Sequence, residues 1–128
     1  MRRDSYKILV VGSPTAFSAL LEGLANLGYA SENIADIRAA STYLLRQSAD
    51  AVLLCLPADD LEARAALEWL RAVKGELPVV VISPAADMQP YLAAMECGAF
   101  DYFTSHTPLP EIERVLAGAI RWRRQKVA

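Results

Sequence analysis

Few residues in this chain could do chemistry, and the candidates stand at the ends of apolar runs. Cys55 closes AVLLC, Ser83 closes VVVIS, Gly12 and Ser13 follow KILVV, and Ser105 comes directly after DYFT. A cysteine works as a nucleophile only as thiolate, which needs a cation or a helix N-terminus to lower its pKa. No lysine or arginine is expected beside Cys55, so a small buried core residue is the expected role. Cys97, just before a glycine at a helix end, reads as structural. Asp59 and Asp60 could bind a cation, but aspartates at that place more often cap the next helix, a part Asp36 is also expected to play. His106, the single histidine, could sense pH, although a solvated loop residue is the expected role. No nucleophile–base pair, carboxylate pair or zinc spacing can be assembled from these residues. An enzyme, a metal site and a cofactor are therefore not expected.

The elements that must position these residues alternate regularly. The strands are read at Lys7–Val11, Tyr29–Ile34, Ala51–Leu56, Val79–Ile82 and Ala99–Thr104. Ala51–Leu56 and Val79–Ile82 are apolar on both faces, as central parallel strands are. Helix patterning follows each strand. Phe17, Leu20, Leu21 and Leu24 form one face over Pro14–Leu27, and the next helix covers Asp36–Gln47. A third is expected to bury Ala66, Trp69, Leu70 and Val73. Met88, Tyr91, Leu92 and Met95 make a short face on a fourth, and Ile112, Val115, Leu116 and Ala119 point inward from the last. Gly28 and Gly98 end helices. Right-handed crossovers then give an α/β fold, a doubly wound five-stranded parallel sheet in the order 2-1-3-4-5. Ligands in such sheets bind at the carboxyl ends of the strands, where Gly12, Ser13, Cys55, Ser83 and Ser105 gather.

The chain has 128 residues, 54% of them apolar, enough to build one core in a single domain over residues 1–128. The formal charge of −2 does not argue for nucleic acid or a membrane surface. No apolar run approaches the ~20 residues of a membrane span, and no signal peptide is read. A soluble, cytoplasmic, reduced protein is expected. The C-terminal end is locally basic, with Arg114, Arg121, Arg123, Arg124 and Lys126. One basic stripe without a recognition motif argues weakly for DNA. Trp122 among those arginines suits an interface, and suits equally a helix running from residues 121–128 into an output domain.

The segments KILVVGSP, LEGLANLGY, ADAVLLCLP, LPVVVISP, ECGAFDYFTS and PEIERVLAGAIRW together resemble the receiver domain of bacterial response regulators, the CheY-like family. The resemblance implies a (βα)5 flavodoxin-like fold and a phosphorelay setting. It implies phosphoryl transfer from a histidine kinase to an aspartate, assisted by Mg²⁺, an acidic pair, a hydroxyl and a lysine. Gly12 and Ser13 replace that acidic pair, Cys55 stands at the acceptor and Ser105 at the lysine. Ser83 alone matches, at the hydroxyl. His106 stands where proline is usual, and Tyr102 where the family carries an aromatic switch residue. The chain is therefore expected to be a degenerate receiver, a phosphorylation-independent signalling module. Its expected contact surface is the helix 4–strand 5–helix 5 face, with Tyr91, Met95, Asp101, Tyr102, Glu113, Arg121 and Trp122. A protein partner, an output domain or a second copy would dock there. Two alternatives stay open. One is a flavodoxin-like FMN or phosphate binder using GSPTAFS, where Pro14 removes one backbone donor. The other is a phosphorelay receiver with a rebuilt site.

Overall fold

The computed structural model describes residues 6–12, 18–55, 60–73, 76–83, 88–104 and 106–127. Five strands and five helices alternate along it. They are β1 (Lys7–Val11), α1 (Ser18–Asn26), β2 (Ala30–Ile34), α2 (Ile37–Arg46), β3 (Ala51–Cys55), α3 (Asp60–Val73), β4 (Val79–Ser83), α4 (Met88–Glu96), β5 (Asp101–Thr104) and α5 (Leu109–Val127). All neighbouring strands pair in parallel, in the order β2-β1-β3-β4-β5. Both β3 and β4 are buried at every position, which their double-sided apolar composition requires.

Alternation along the central strands splits the core into two layers. Leu9, Val52, Leu54, Val79 and Val81 face Ala40 and Leu44 of α2, Ala66, Leu67 and Leu70 of α3, and Ala94 of α4. Ile8, Val10, Leu53, Val80 and Ile82 face Leu24 of α1 and Ile112, Leu116 and Ile120 of α5. Each fully buried Leu or Ile contributes about 1.5–3 kcal/mol, so these two layers dominate the stability of the sheet. Asp36 caps α2, its Oδ1 accepting from the Ala39 N–H at 2.8 Å. Gly28 follows α1 at φ +95°, a turn that glycine makes without steric cost.

One helix face differs from the sequence expectation. Trp69 is not core but 40% exposed. Ala66, Leu67 and Leu70 take the inward side of α3 and turn Trp69 to the flank facing α2, where the Arg38 guanidinium lies 5.9 Å from its ring centroid. On α4 the inward residues are Ala93 and Ala94, while Tyr91 and Leu92 are exposed and Met95 is half-buried. The Val73 and Met88 side chains, and the first turn expected at residues 14–17, lie outside the described residues.

Candidate functional site

Gly12, Cys55 and Ser83 do converge at the carboxyl ends of β1, β3 and β4. Ser13, Ser105 and Asp59 lie outside the described residues, as does the side chain of Asp60, which opens α3. Gly12 closes β1 at φ +129°, a conformation that side-chain-bearing residues rarely adopt. Its N–H donates to the Ile34 carbonyl at 2.9 Å. A Cβ at this position would collide with the backbone carbonyl of Cys55. The turn is held by Asn33, whose Nδ2 donates to the carbonyls of Val10 at 3.1 Å and Gly12 at 3.3 Å. Sequence reasoning missed Asn33. The available signal was a side-chain amide near the end of a polar edge strand, level with the glycine turn.

Cys55 is 3% exposed and belongs to the layer under α1 and α5. Burial pushes its thiol pKa up to about 12, because removing water penalises the thiolate. The thiol is therefore neutral at physiological pH and is no nucleophile. An alkylating agent at pH 7.5 should modify half-exposed Cys97 and leave Cys55 intact until denaturant is added, as mass spectrometry of the labelled peptides would read. The raised pKa also has a stability consequence. The folded state holds the thiol proton more tightly than the unfolded chain, so this contribution is complete below the unfolded pKa of about 8.5. It is lost as pH rises from there toward 12. Stability relative to a Cys55→Ala variant should be flat to about pH 8 and fall above it.

Ser83 is buried at the end of β4. Together, Gly12, Cys55 and Ser83 offer backbone, one neutral thiol and one hydroxyl. That donor set does not fit a hard divalent cation, which takes several oxygen ligands, carboxylates foremost. Among the described residues, no group of three or more His, Cys, Asp or Glu could hold a metal.

The contact residues divide into two groups. Tyr102 is buried in β5, and Tyr91 of α4 meets its ring edge-on at 5.9 Å and 86°. Met95 packs beside them on the α2–α3–α4 layer. Asp101 opens β5, its Oδ1 accepting from the Tyr102 N–H at 2.7 Å. Arg121 is exposed on α5. Trp122, 44% exposed, packs against Phe100 with ring centroids 6.0 Å apart. Phe100 was not among the expected residues, although the aromatic spacing of AFDYF was visible. Glu113 does not lie on this face. Its Oε1 accepts from Tyr29 Oη at 3.0 Å, toward α1 and the start of β2. Glu113 and Trp122 are about two and a half turns apart, which sets them on opposite flanks of α5.

The basic end of α5 is also partly consumed within the fold. Arg124 Nη2 reaches Asp50 Oδ1 at 3.0 Å, and its guanidinium lies 4.7 Å from the Tyr6 ring centroid. The other Asp50 oxygen accepts from the Lys7 N–H at 2.8 Å.

No family model matches the chain, and no curated protein matches it significantly. Solved structures do. The receiver domain of the sensor histidine kinase PA1611 from Pseudomonas aeruginosa, with magnesium in its active-site cleft, is 24% identical with a TM-score of 0.77, covering 90% of this chain and 97% of that one. The signal receiver domain of an HD domain-containing protein from Pseudomonas fluorescens is 17% identical with a TM-score of 0.81, covering 98% and 99%. The beryllofluoride-activated NtrC4 receiver domain dimer is 16% identical with a TM-score of 0.81, covering 91% and 98%. The chain has the receiver-domain fold. Gly12 follows β1 and Cys55 closes β3, side by side at the carboxyl ends of neighbouring strands. No helix among the described residues is long and apolar enough to cross a membrane.

Proposed function

We propose that this receiver-like domain is a cytoplasmic signalling module that works by protein contact, without aspartyl phosphorylation or catalysis of its own. The observation that carries this reading is the tight packing of Gly12 at the Cys55 carbonyl, which leaves no room for a side chain there, beside a thiol that burial keeps neutral. It supports the loss of both the acidic site and the acceptor. Contact is made through the face of α4, β5 and α5, where exposed Tyr91 packs on the Tyr102 ring, exposed Phe100 and Trp122 pack on each other and Arg121 supplies charge. Exposed aromatic and arginine side chains are the types that anchor interfaces. The NtrC4 receiver was solved as a dimer, which supports a second copy as one partner for this face.

The test is an NMR titration of the ¹⁵N-labelled domain with Mg²⁺ and beryllofluoride, followed by sedimentation over rising concentration. The amides of Gly12, Cys55 and Ser83 are expected not to move. Saturable shifts there would overturn phosphorylation independence. A concentration-dependent dimer abolished by Trp122→Ala would support self-association. A monomer at all concentrations would leave a separate protein as the partner of the face.

A further inference from the structure

Two tyrosines at the amino ends of the strands hold α5 along one flank. Tyr6 precedes β1 and Tyr29 precedes β2; both are buried, with ring centroids 6.1 Å apart. Tyr29 Oη donates to Glu113 Oε1 at 3.0 Å. The Arg124 guanidinium lies 4.7 Å from the Tyr6 ring centroid, and its Nη2 donates to Asp50 Oδ1 at 3.0 Å. Glu113 and Arg124 are about three turns apart on α5, so both project from the same flank. Trp122 stands about half a turn from Arg124, on the opposite flank, against Phe100.

The tyrosines are themselves fixed by the backbone around them. The Tyr6 carbonyl accepts from the Ala30 N–H at 3.0 Å, and the Tyr29 N–H donates to the Leu24 carbonyl at 3.1 Å. Ile112, Leu116 and Ile120 keep α5 on the sheet by burial, which is non-directional. A hydrogen bond and an ion pair are directional, so the contacts at Glu113 and Arg124 select the rotation of the helix. Either contact alone leaves a pivot. Two of them, about 16 Å apart along the axis, remove it.

We infer that Tyr29 and Tyr6, gripping Glu113 and Arg124, form a two-point clamp that sets the rotation of α5 and so positions Trp122 in the α4–β5–α5 contact face. The inference rests on the reading of that face given under the proposed function. It puts control of the face at the amino ends of β1 and β2, the end of the sheet away from Gly12, Cys55 and Ser83. Tyr29 and Glu113 act through α5 and are positioning residues, not contact residues.

The test is NMR of the free labelled domain and its variants. Tyr29→Phe removes the hydroxyl and keeps the ring packing, and Arg124→Ala removes the second point. In the double variant the Phe100 ring protons and the Trp122 indole should both shift, since their contact at 6.0 Å is disturbed. Amides in the last turns of α5 should exchange roughly tenfold faster, the equivalent of one net hydrogen bond. Each single variant should give less than half of the double variant's shift, because the remaining point still holds the helix. Glu113→Ala should match Tyr29→Phe, whereas Glu113→Gln keeps an acceptor for Tyr29 and should leave Trp122 and Phe100 at their parental positions. The β3 and β4 amides report global stability and should keep their protection. Parental Trp122 and Phe100 signals in the double variant would overturn the inference. So would equal shifts in Glu113→Gln and Glu113→Ala, or exchange rising equally across β3 and β4. Every readout lies in the free domain. Saturable beryllofluoride shifts at Gly12, Cys55 and Ser83 would therefore overturn the proposed function without touching the clamp, and parental signals in the double variant would overturn the clamp alone.

Discussion

Replacing Gly12 with aspartate should destabilise the domain by roughly 3 kcal/mol and should not create Mg²⁺ binding. The residue type is the one the receiver resemblance calls for, so the substitution looks restorative. Geometry opposes it. A side-chain-bearing residue at φ +129° holds strain of about 1–3 kcal/mol. Forcing its Cβ away from the Cys55 carbonyl adds about 1–3 kcal/mol of overpacking. Relief requires moving the turn, which breaks the Gly12 N–H bond to Ile34 and the Asn33 amide bonds. A loss of this size is a large part of the ~5–15 kcal/mol that holds a domain of this kind together. Gly12→Ala should lose nearly as much, because the penalty belongs to the Cβ and the backbone rather than to the charge. Urea unfolding of both variants measures it. An aspartate variant as stable as the parent, with Mg²⁺-dependent shifts at Cys55, would show that the junction opens readily and that the site can be rebuilt.

Much of the fold was legible because burial writes itself into residue type. AVLLC and VVVI are apolar on both faces, which only central parallel strands sustain, and the crossover rule then leaves few orders for five strands. β2 was weaker, since ASENI is exposed almost throughout and is specified by its pairing with β1 rather than by its own pattern. Helix faces were less certain. Periodicity identifies an apolar stripe but not which neighbour covers it, so Trp69 was assigned inward when Ala66, Leu67 and Leu70 took that side. At the candidate site, residue types showed what was missing from Gly12 and Cys55. They could not show that Gly12 sits at φ +129° with no room for a Cβ beside the Cys55 carbonyl, because neither is written in a glycine. Likewise Glu113 was grouped with Trp122 by element, although helical phase separates them. The link from Asp50 to Arg124, 74 positions apart in the chain, leaves no local signature at all.

That link carries the second large effect. Asp50→Ala should cost about 2–3 kcal/mol. The side chain of Asp50 is 16% exposed and that of Arg124 37%, so the ion pair by itself is screened and contributes at most about 1 kcal/mol. The larger share comes from the other carboxylate oxygen. It accepts the Lys7 N–H at 2.8 Å where β1 begins, and a hydrogen bond to a charged acceptor is worth about 1.5–3 kcal/mol. Removing the carboxylate leaves that donor without its partner at the start of β1. Asp50→Asn keeps an acceptor for Lys7 and gives up the charge, so it should lose roughly 1 kcal/mol. Arg124→Ala should lose a similar amount, through the ion pair and its packing on Tyr6. A double-mutant cycle on Asp50 and Arg124 should then give a coupling of about 0.5–1 kcal/mol, well below the whole Asp50→Ala effect. The consequence reaches the contact face. Arg124 and Trp122 lie in the same last turns of α5, one on the sheet and the other against Phe100. Loosening Arg124 frees the end of the helix that presents Trp122. In Arg124→Ala, the Trp122 indole should show faster hydrogen exchange and a shifted resonance while the β3 and β4 amides stay protected. If exchange rises equally across the sheet, Asp50 and Arg124 serve global stability alone, and the end of α5 is held by its other contacts.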